Sequence, residues 1–153
     1  MLHQFTKVSI FALFITFSIF SHSAKAQSEL GLNLAYGSLP EDVGITLNSN
    51  FYATDVFSIS PSVTFFLIDG PADLTTINVD GHYNFEVGSG STYVYPLGGL
   101  NFAVANSDSE LGINLGGGVN HFFDGNLGVL GELKFVLGDA DQVVLNFGVL
   151  YRL

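Results

Sequence analysis

The residues of this chain that could do acid–base or ion-pair chemistry are few, and they are spaced in twos. Asp80 and His82 are separated by one residue, as are Glu132 and Lys134, while Glu29 and Arg152 stand near opposite ends of the segment 27–153. A two-residue spacing puts both members of a pair on one face of a β-strand. The chemistry on offer is ion pairing among carboxylate, imidazole, ammonium and guanidinium groups. A nucleophilic triad needs more, namely a His beside a Ser with an acid to orient it. The other candidate, His121, has the opposite strand parity to His82 and runs into Phe122 and Phe123 at a predicted turn. Neither a triad nor a two-histidine metal site is therefore expected. The run Gly116, Gly117, Gly118 lacks the spacing of a phosphate cradle and no predicted helix follows it, so its expected role is steric room. No catalytic residue, cofactor or firm metal site is predicted.

Eight of the remaining acids fall in pairs at the four predicted outer connections: Glu41 and Asp42, Asp69 and Asp73, Asp108 and Glu110, Asp139 and Asp141, with no base beside them, while Asp55, Glu86 and Asp124 stand at the opposite turns. Carboxylates from different loops can share calcium or magnesium, although none of these connections has the spacing of an EF-hand. Weak divalent binding at an acidic rim is one expectation; a solvated edge is the plainer one.

The elements that must carry these residues read as eight strands. Leu30, Leu32, Leu34 and Tyr36 alternate with Gly31, Asn33 and Ala35, and the last strand sets Val143, Leu145, Phe147, Val149, Tyr151 and Leu153 against Gln142, Asn146, Gly148 and Arg152. Between them, alternating segments run from Val43 to Phe51, Phe57 to Leu67, about Ile77 to Phe85, Tyr93 to Val104, Ile113 to Asn120, and Val129 to Leu137. Asn78, Asp80, His82 and Asn84 share one face of the fourth, and Asn114, Gly116, Gly118 and Asn120 one face of the sixth. Pro61 lacks the N–H that a closed ladder uses, so a bulge or a missing bond is expected there. The fifth segment is apolar in both registers; Val94, Leu100, Phe102 and Val104 are placed outward. The loop Asn106 to Glu110 is expected to follow it, and Asp124, Gly125 and Asn126 form a hairpin turn.

Every segment thus has one oily and one wetter face. A soluble sheet would need protein over the oily face, yet no helix is predicted beyond the first residues, so lipid is the expected cover. A closed barrel, oily side out, leaves no strand edge unpaired. The apolar run from Val8 to Phe20, with Lys7 before it and Ala24, Lys25, Ala26 after, predicts a secretory signal peptide cut between Ala26 and Gln27. The domain reading is 1–26 signal peptide and 27–153 barrel. In that mature segment two cations, Lys134 and Arg152, face fourteen acids, a net charge of −12 that excludes nucleic acid as a partner. The mean hydropathy of +0.43 and 48% hydrophobic content are high for a water-soluble chain of this length.

Asn146, Gly148, Tyr151 and Leu153 fill the C-terminal recognition signal of bacterial outer-membrane barrels, with Leu153 where that signal usually ends in Phe. Together with Tyr95, Pro96, Leu97, Gly98, Gly99, the Gly116–Gly118 run and the strand count, they make the chain resemble the small outer-membrane domains of the OmpA/OmpX type. The resemblance implies an all-β, eight-stranded, antiparallel up-and-down transmembrane β-barrel in the cell outer membrane. It also implies termini on the periplasmic side, contact with membrane lipid and lipopolysaccharide, and insertion by the barrel assembly machinery. A structural or interaction role is the leading expectation. A narrow pore, a lipid-modifying enzyme and a soluble lipocalin-like carrier are the alternatives. Inside so narrow a barrel, Lys134 is expected to reach Asp80 and Arg152 to reach Glu29 across the closing seam, with Gly116 and Gly118 opposite Lys134 and Glu132.

Overall fold

The computed structural model describes residues 27–67, 74–105, 108–139 and 141–153. The predicted signal peptide, and Asp69 and Asp73 of the rim, lie outside the described residues. Among the described residues nine strand segments follow one another: β1 (Ser28–Gly37), β2 (Asp42–Tyr52), β3 (Phe57–Phe66), β4 (Leu74–Tyr83), β5 (Phe85–Val87), β6 (Thr92–Ala105), β7 (Asp108–Phe122), β8 (Leu127–Gly138) and β9 (Gln142–Arg152). Apart from β4 and β5, each pairs antiparallel with the next, β1 also pairs with β9, and β4 pairs with β6, so the sheet closes on itself.

The ninth segment is not a ninth stave. β4 and β5 both pair with β6, in one unbroken register from Leu74↔Ala105 to Phe85↔Val94. The interruption sits at Asn84, beside the point where Tyr83 would face Pro96. Proline has no N–H to give, so the ladder lapses there and resumes. The barrel therefore has eight staves. Pro61 acts in the same way: β3 is continuous, but its pairing with β2 lapses between Asn48↔Ser62 and Phe51↔Ile59 and resumes in register. That is a gap, not a bulge.

Two boundaries differ from the sequence reading. Asp108 and Glu110, expected in a loop, lie in β7 and face Ala105 and Ala103 of β6. The pairing of these two strands continues past the end of the β8 and β9 ladder, so acids that looked like loop residues stand on a raised part of the wall. In β6, Val94, Leu100 and Phe102 do face out, and Val104 is half-buried, while Tyr95 and Leu97 turn inward and are buried.

The facing of the whole wall is inverted relative to a water-soluble protein. Leu34 is 68% exposed and Phe147 is 65% exposed, and most of the large side chains on the outward parity are exposed as well, with Phe65 and Ile77 half-buried and Val63 buried. Buried polar side chains outnumber buried apolar ones among the described residues. Outward aromatics stand toward the two ends of the staves: Tyr36 and Phe135 at one, Phe85, Phe123 and Tyr151 at the other, beside the termini.

Candidate functional site

The tube encloses a polar middle between two apolar ends. At mid-lumen, Lys134 of β8 donates to Asp80 of β4 at 2.6 Å, with Glu132 3.6 Å away, and all three are buried or nearly so. Two carboxylates thus share one ammonium, and neutral donors supply the rest. Asn114 Nδ2 reaches Asp80 Oδ1 at 2.7 Å and the Tyr95 hydroxyl donates to Glu132 Oε2 at 2.8 Å. Asn146 Nδ2 lies 3.4 Å from Glu132 Oε1. Buried charge is stable only when paired and hydrogen-bonded in this manner.

Backbone register and missing side chains create the room. Lys134 faces Gly116 and Glu132 faces Gly118 across the β7–β8 ladder. A Cβ added to Gly118 would overlap the Tyr95 ring and hydroxyl, and one added to Gly116 would overlap the Leu133 carbonyl. Gly117, between them, faces the outside instead and lies opposite Pro96. So only two of the three glycines make space in the lumen.

The seam carries a second set. Glu29 is fully buried and accepts from Arg152 Nη2 at 3.2 Å, from Asn50 Nδ2 at 2.9 Å and from the Tyr52 hydroxyl at 3.3 Å. The Arg152 guanidinium also lies 3.8 Å from the centre of the Phe122 ring, a cation–π geometry. Phe122 belongs to one apolar end, with Leu130, Leu150 and the flanking Tyr93. The other end is Ala35, Phe66, Val136 and Val144, flanked by Leu74. Between them the mid-lumen cavity amounts to about 20 Å³, room for one water molecule.

His82 is buried and stacks on Tyr95, ring centres 4.2 Å apart, and neither of its ring nitrogens has a hydrogen-bond partner among the described residues. His121 is on the wall, with Nδ1 2.8 Å from the Thr92 hydroxyl. The two histidines are not brought together. Among the described residues no three His, Cys, Asp or Glu side chains converge as a metal site would require. Glu41, Asp42, Asp139 and Asp141 stand at connections or strand ends; Asp141 accepts from the Gly138 amide at 2.8 Å and Asp42 from the Val43 amide at 2.8 Å. Of the C-terminal signal, Asn146 and Gly148 face the lumen, and Tyr151 and Leu153 are exposed.

Sequence reasoning missed Tyr95, Asn114, Asn50 and Tyr52 as partners of the buried acids. Their signal was there for Asn114 and Asn50, which have inward parity; Tyr95 lay in a segment apolar on both faces and gave none.

The β-barrel domain of Pseudomonas aeruginosa OprF superimposes with a TM-score of 0.71 at 14% identity, covering 84% of this chain and all (100%) of that one. The Yersinia pestis outer membrane protein Ail, in a phospholipid bilayer nanodisc, gives a TM-score of 0.60 at 17% identity over 84% of this chain and 100% of that chain. The fold is that of the small outer-membrane β-barrels. A de novo designed transmembrane β-barrel matches nearly as well, with a TM-score of 0.62 at 11% identity over 83% of this chain and 95% of the design. An outer-membrane barrel fold can thus be specified by facing, turns and packing without any inherited function. No protein-family model matches the sequence, and no curated protein sequence does.

Proposed function

We propose that the protein is an outer-membrane barrel with a structural or interaction role, held in lipid by its wall and closed to solutes along its axis. The observation that carries this reading is the inverted facing: apolar side chains cover the outside while paired charges fill the inside. In water that wall would expose an apolar surface far beyond what a soluble monomer tolerates. In a bilayer it is the solvated face. A soluble carrier with an oily interior would need the opposite facing. Eight staves give a bore that side chains fill, and here they leave space for one water at mid-lumen, which supports anchoring over conduction. Lipid and lipopolysaccharide are the surroundings this reading implies, and the assembly machinery of the outer membrane is its route of insertion.

The test is fractionation with gel migration before and after boiling in detergent, followed by single-channel recording in planar bilayers. Recovery in outer membranes, a folded species migrating apart from the boiled one, and electrically silent bilayers are expected. Protein that stays in solution without detergent, or that opens discrete conductance steps, would overturn the reading.

A further inference from the structure

Every acid that lies in a described strand takes the lumenal parity, and so do Lys134, Arg152 and His82; His121 is the one basic side chain of those strands that faces out. It stands at the termini end of β7, edge-on to the exposed Phe123 with ring centres 5.1 Å apart, among the outward aromatics that mark where a barrel meets the bilayer surface. Thr92, its cross-strand partner on β6, occupies Nδ1 at 2.8 Å. Nε2 has no hydrogen-bond partner among the described residues. With the Thr92 hydroxyl donating to Nδ1, Nε2 carries the proton, and the ring is an N–H donor aimed at nothing in its own chain.

Down the wall from His121 runs a shallow groove of about 550 Å³. Val94, Val119, Leu133 and Phe147 border it, and Gly131 and Gly117 floor it because neither puts a side chain over the sheet. Val119 lies two residues from His121 on β7 and pairs with Gly131, so the groove begins diagonally beside the imidazole. Its outward-facing border is wholly apolar. A second copy of this chain could cover the groove but has no acid on its outward parity to answer the donor. Plain hydrocarbon would fill the groove and leave the N–H unmet. What complements both parts is a hydrocarbon chain joined to an anion held at the level of the aromatics, and a bilayer supplies that as a phospholipid.

We propose that this face is a phospholipid site: one acyl chain of a glycerophospholipid from the leaflet on the termini side lies over Gly131 and Gly117, and the phosphate accepts from His121 Nε2. The proposal rests on the reading that the wall lies in lipid, and adds a chosen lipid at a fixed place.

The experiment incubates the folded full barrel, in detergent micelles, with palmitoyl-oleoyl phosphatidylglycerol, counts retained lipid by native mass spectrometry and follows the His121 ring-nitrogen resonances. Palmitoyl-oleoyl glycerol, with the same chains and no phosphate, and glycerol phosphate, with no chains, are the controls. One retained phosphatidylglycerol, a shifted Nε2 resonance, and binding roughly tenfold tighter than either control, about 1.4 kcal/mol, are expected. His121→Phe keeps a ring and removes the donor, and should lose the margin over palmitoyl-oleoyl glycerol. Gly131→Leu should fill the groove. A Cβ there meets only the Phe147 ring, at 3.4 Å, so this variant should fold with an unchanged gel mobility shift yet retain no lipid. Equal retention of the two diacyl lipids, or retention untouched by both variants, would overturn the proposal. So would barrel dimers that disappear in Gly131→Leu, which would make the face a contact between copies. Each of those results leaves recovery in outer membranes intact, whereas failure of the anchoring reading shows as protein that stays in solution without detergent.

Discussion

At mid-lumen a single ammonium is held 2.6 Å from one carboxylate and 3.6 Å from another, each acid steadied by a neutral donor. At the two ends of the same tube, Phe66 with Val136 and Phe122 with Leu150 close the bore by side-chain packing. The middle is fixed by direction and charge, the ends by volume. Packing tolerates exchange of one apolar shape for another of similar size, whereas a buried ion pair that loses one member strands the other. The difference teaches what each region cannot lose: three residues in the middle resist even conservative exchange, whereas the stoppers resist lost volume but accept one apolar shape for another.

The comparison breaks most sharply at Lys134. Lys134→Met should cost about 3–5 kcal/mol in denaturant unfolding from detergent micelles, because Asp80 and Glu132 are left buried with no counter-charge. Neutralising the stranded acids in the triple variant K134M/D80N/E132Q should recover a good part of that loss. An unchanged midpoint for the single variant would mean the pair contributes nothing. Next comes Leu150→Ala at one stopper, with about 3 kcal/mol expected by the same measurement for a fully buried leucine. Leu150→Met should cost less than about 1.5 kcal/mol, whereas Lys134→Arg, equally conservative on paper, should not be tolerated so well. If both conservative changes cost the same, the proposed division between middle and ends fails.

Smaller still is Gly118→Ala. The added methyl overlaps Tyr95 and crowds the Gly131 carbonyl, so roughly 1–3 kcal/mol should be lost, and the companion change Tyr95→Ala should remove the overlap with the ring and make the two effects non-additive in a double-mutant cycle. The smallest effect belongs to the seam. Arg152 is partly exposed, and Glu29, although fully buried, keeps its hydrogen bonds from Asn50 and Tyr52, so Arg152→Gln should cost less than the changes above, about 1 kcal/mol, shrinking further in 1 M salt as screening weakens its pull on Glu29. The Lys134→Met penalty should not move with salt. Unfolding of both variants at low and high salt compares a pair with one partly exposed member with a pair buried on both sides.

The wall was legible because alternation is a local property: Leu30 to Tyr36 and Val143 to Leu153 declare their outward face within a few residues. The Lys134–Glu132 placement was legible too, since the Asp124–Asn126 hairpin sets the register that brings them opposite Gly116 and Gly118. The stoppers were not. Phe66, Phe122, Val136, Val144 and Leu150 have inward parity, and single apolar residues there read as lapses in the pattern until the opposite staves are known to bring them together. Pro96 was equally opaque, because its effect falls on Asn84, a residue of another strand. The raised acids Asp108 and Glu110 looked like a loop because charge at a connection usually means solvation, and nothing local announced that β6 and β7 run on together.

The pairing of β1 with β9 sets a condition in time as well as in space. Glu29 and Arg152 are 123 residues apart in sequence, so the contact that completes the ladder is among the last the chain can make. Until β9 arrives, β1 carries a bare edge, and the sheet is an open ribbon with every N–H and C=O on that side unmet. Contacts so distant along the chain form slowly, since the entropy of closing the intervening loop is lost before the contact rewards it. A half-made barrel therefore has no stable resting form in lipid, and a delay in supplying its final stave leaves a ribbon open to pairing with any other free edge it meets.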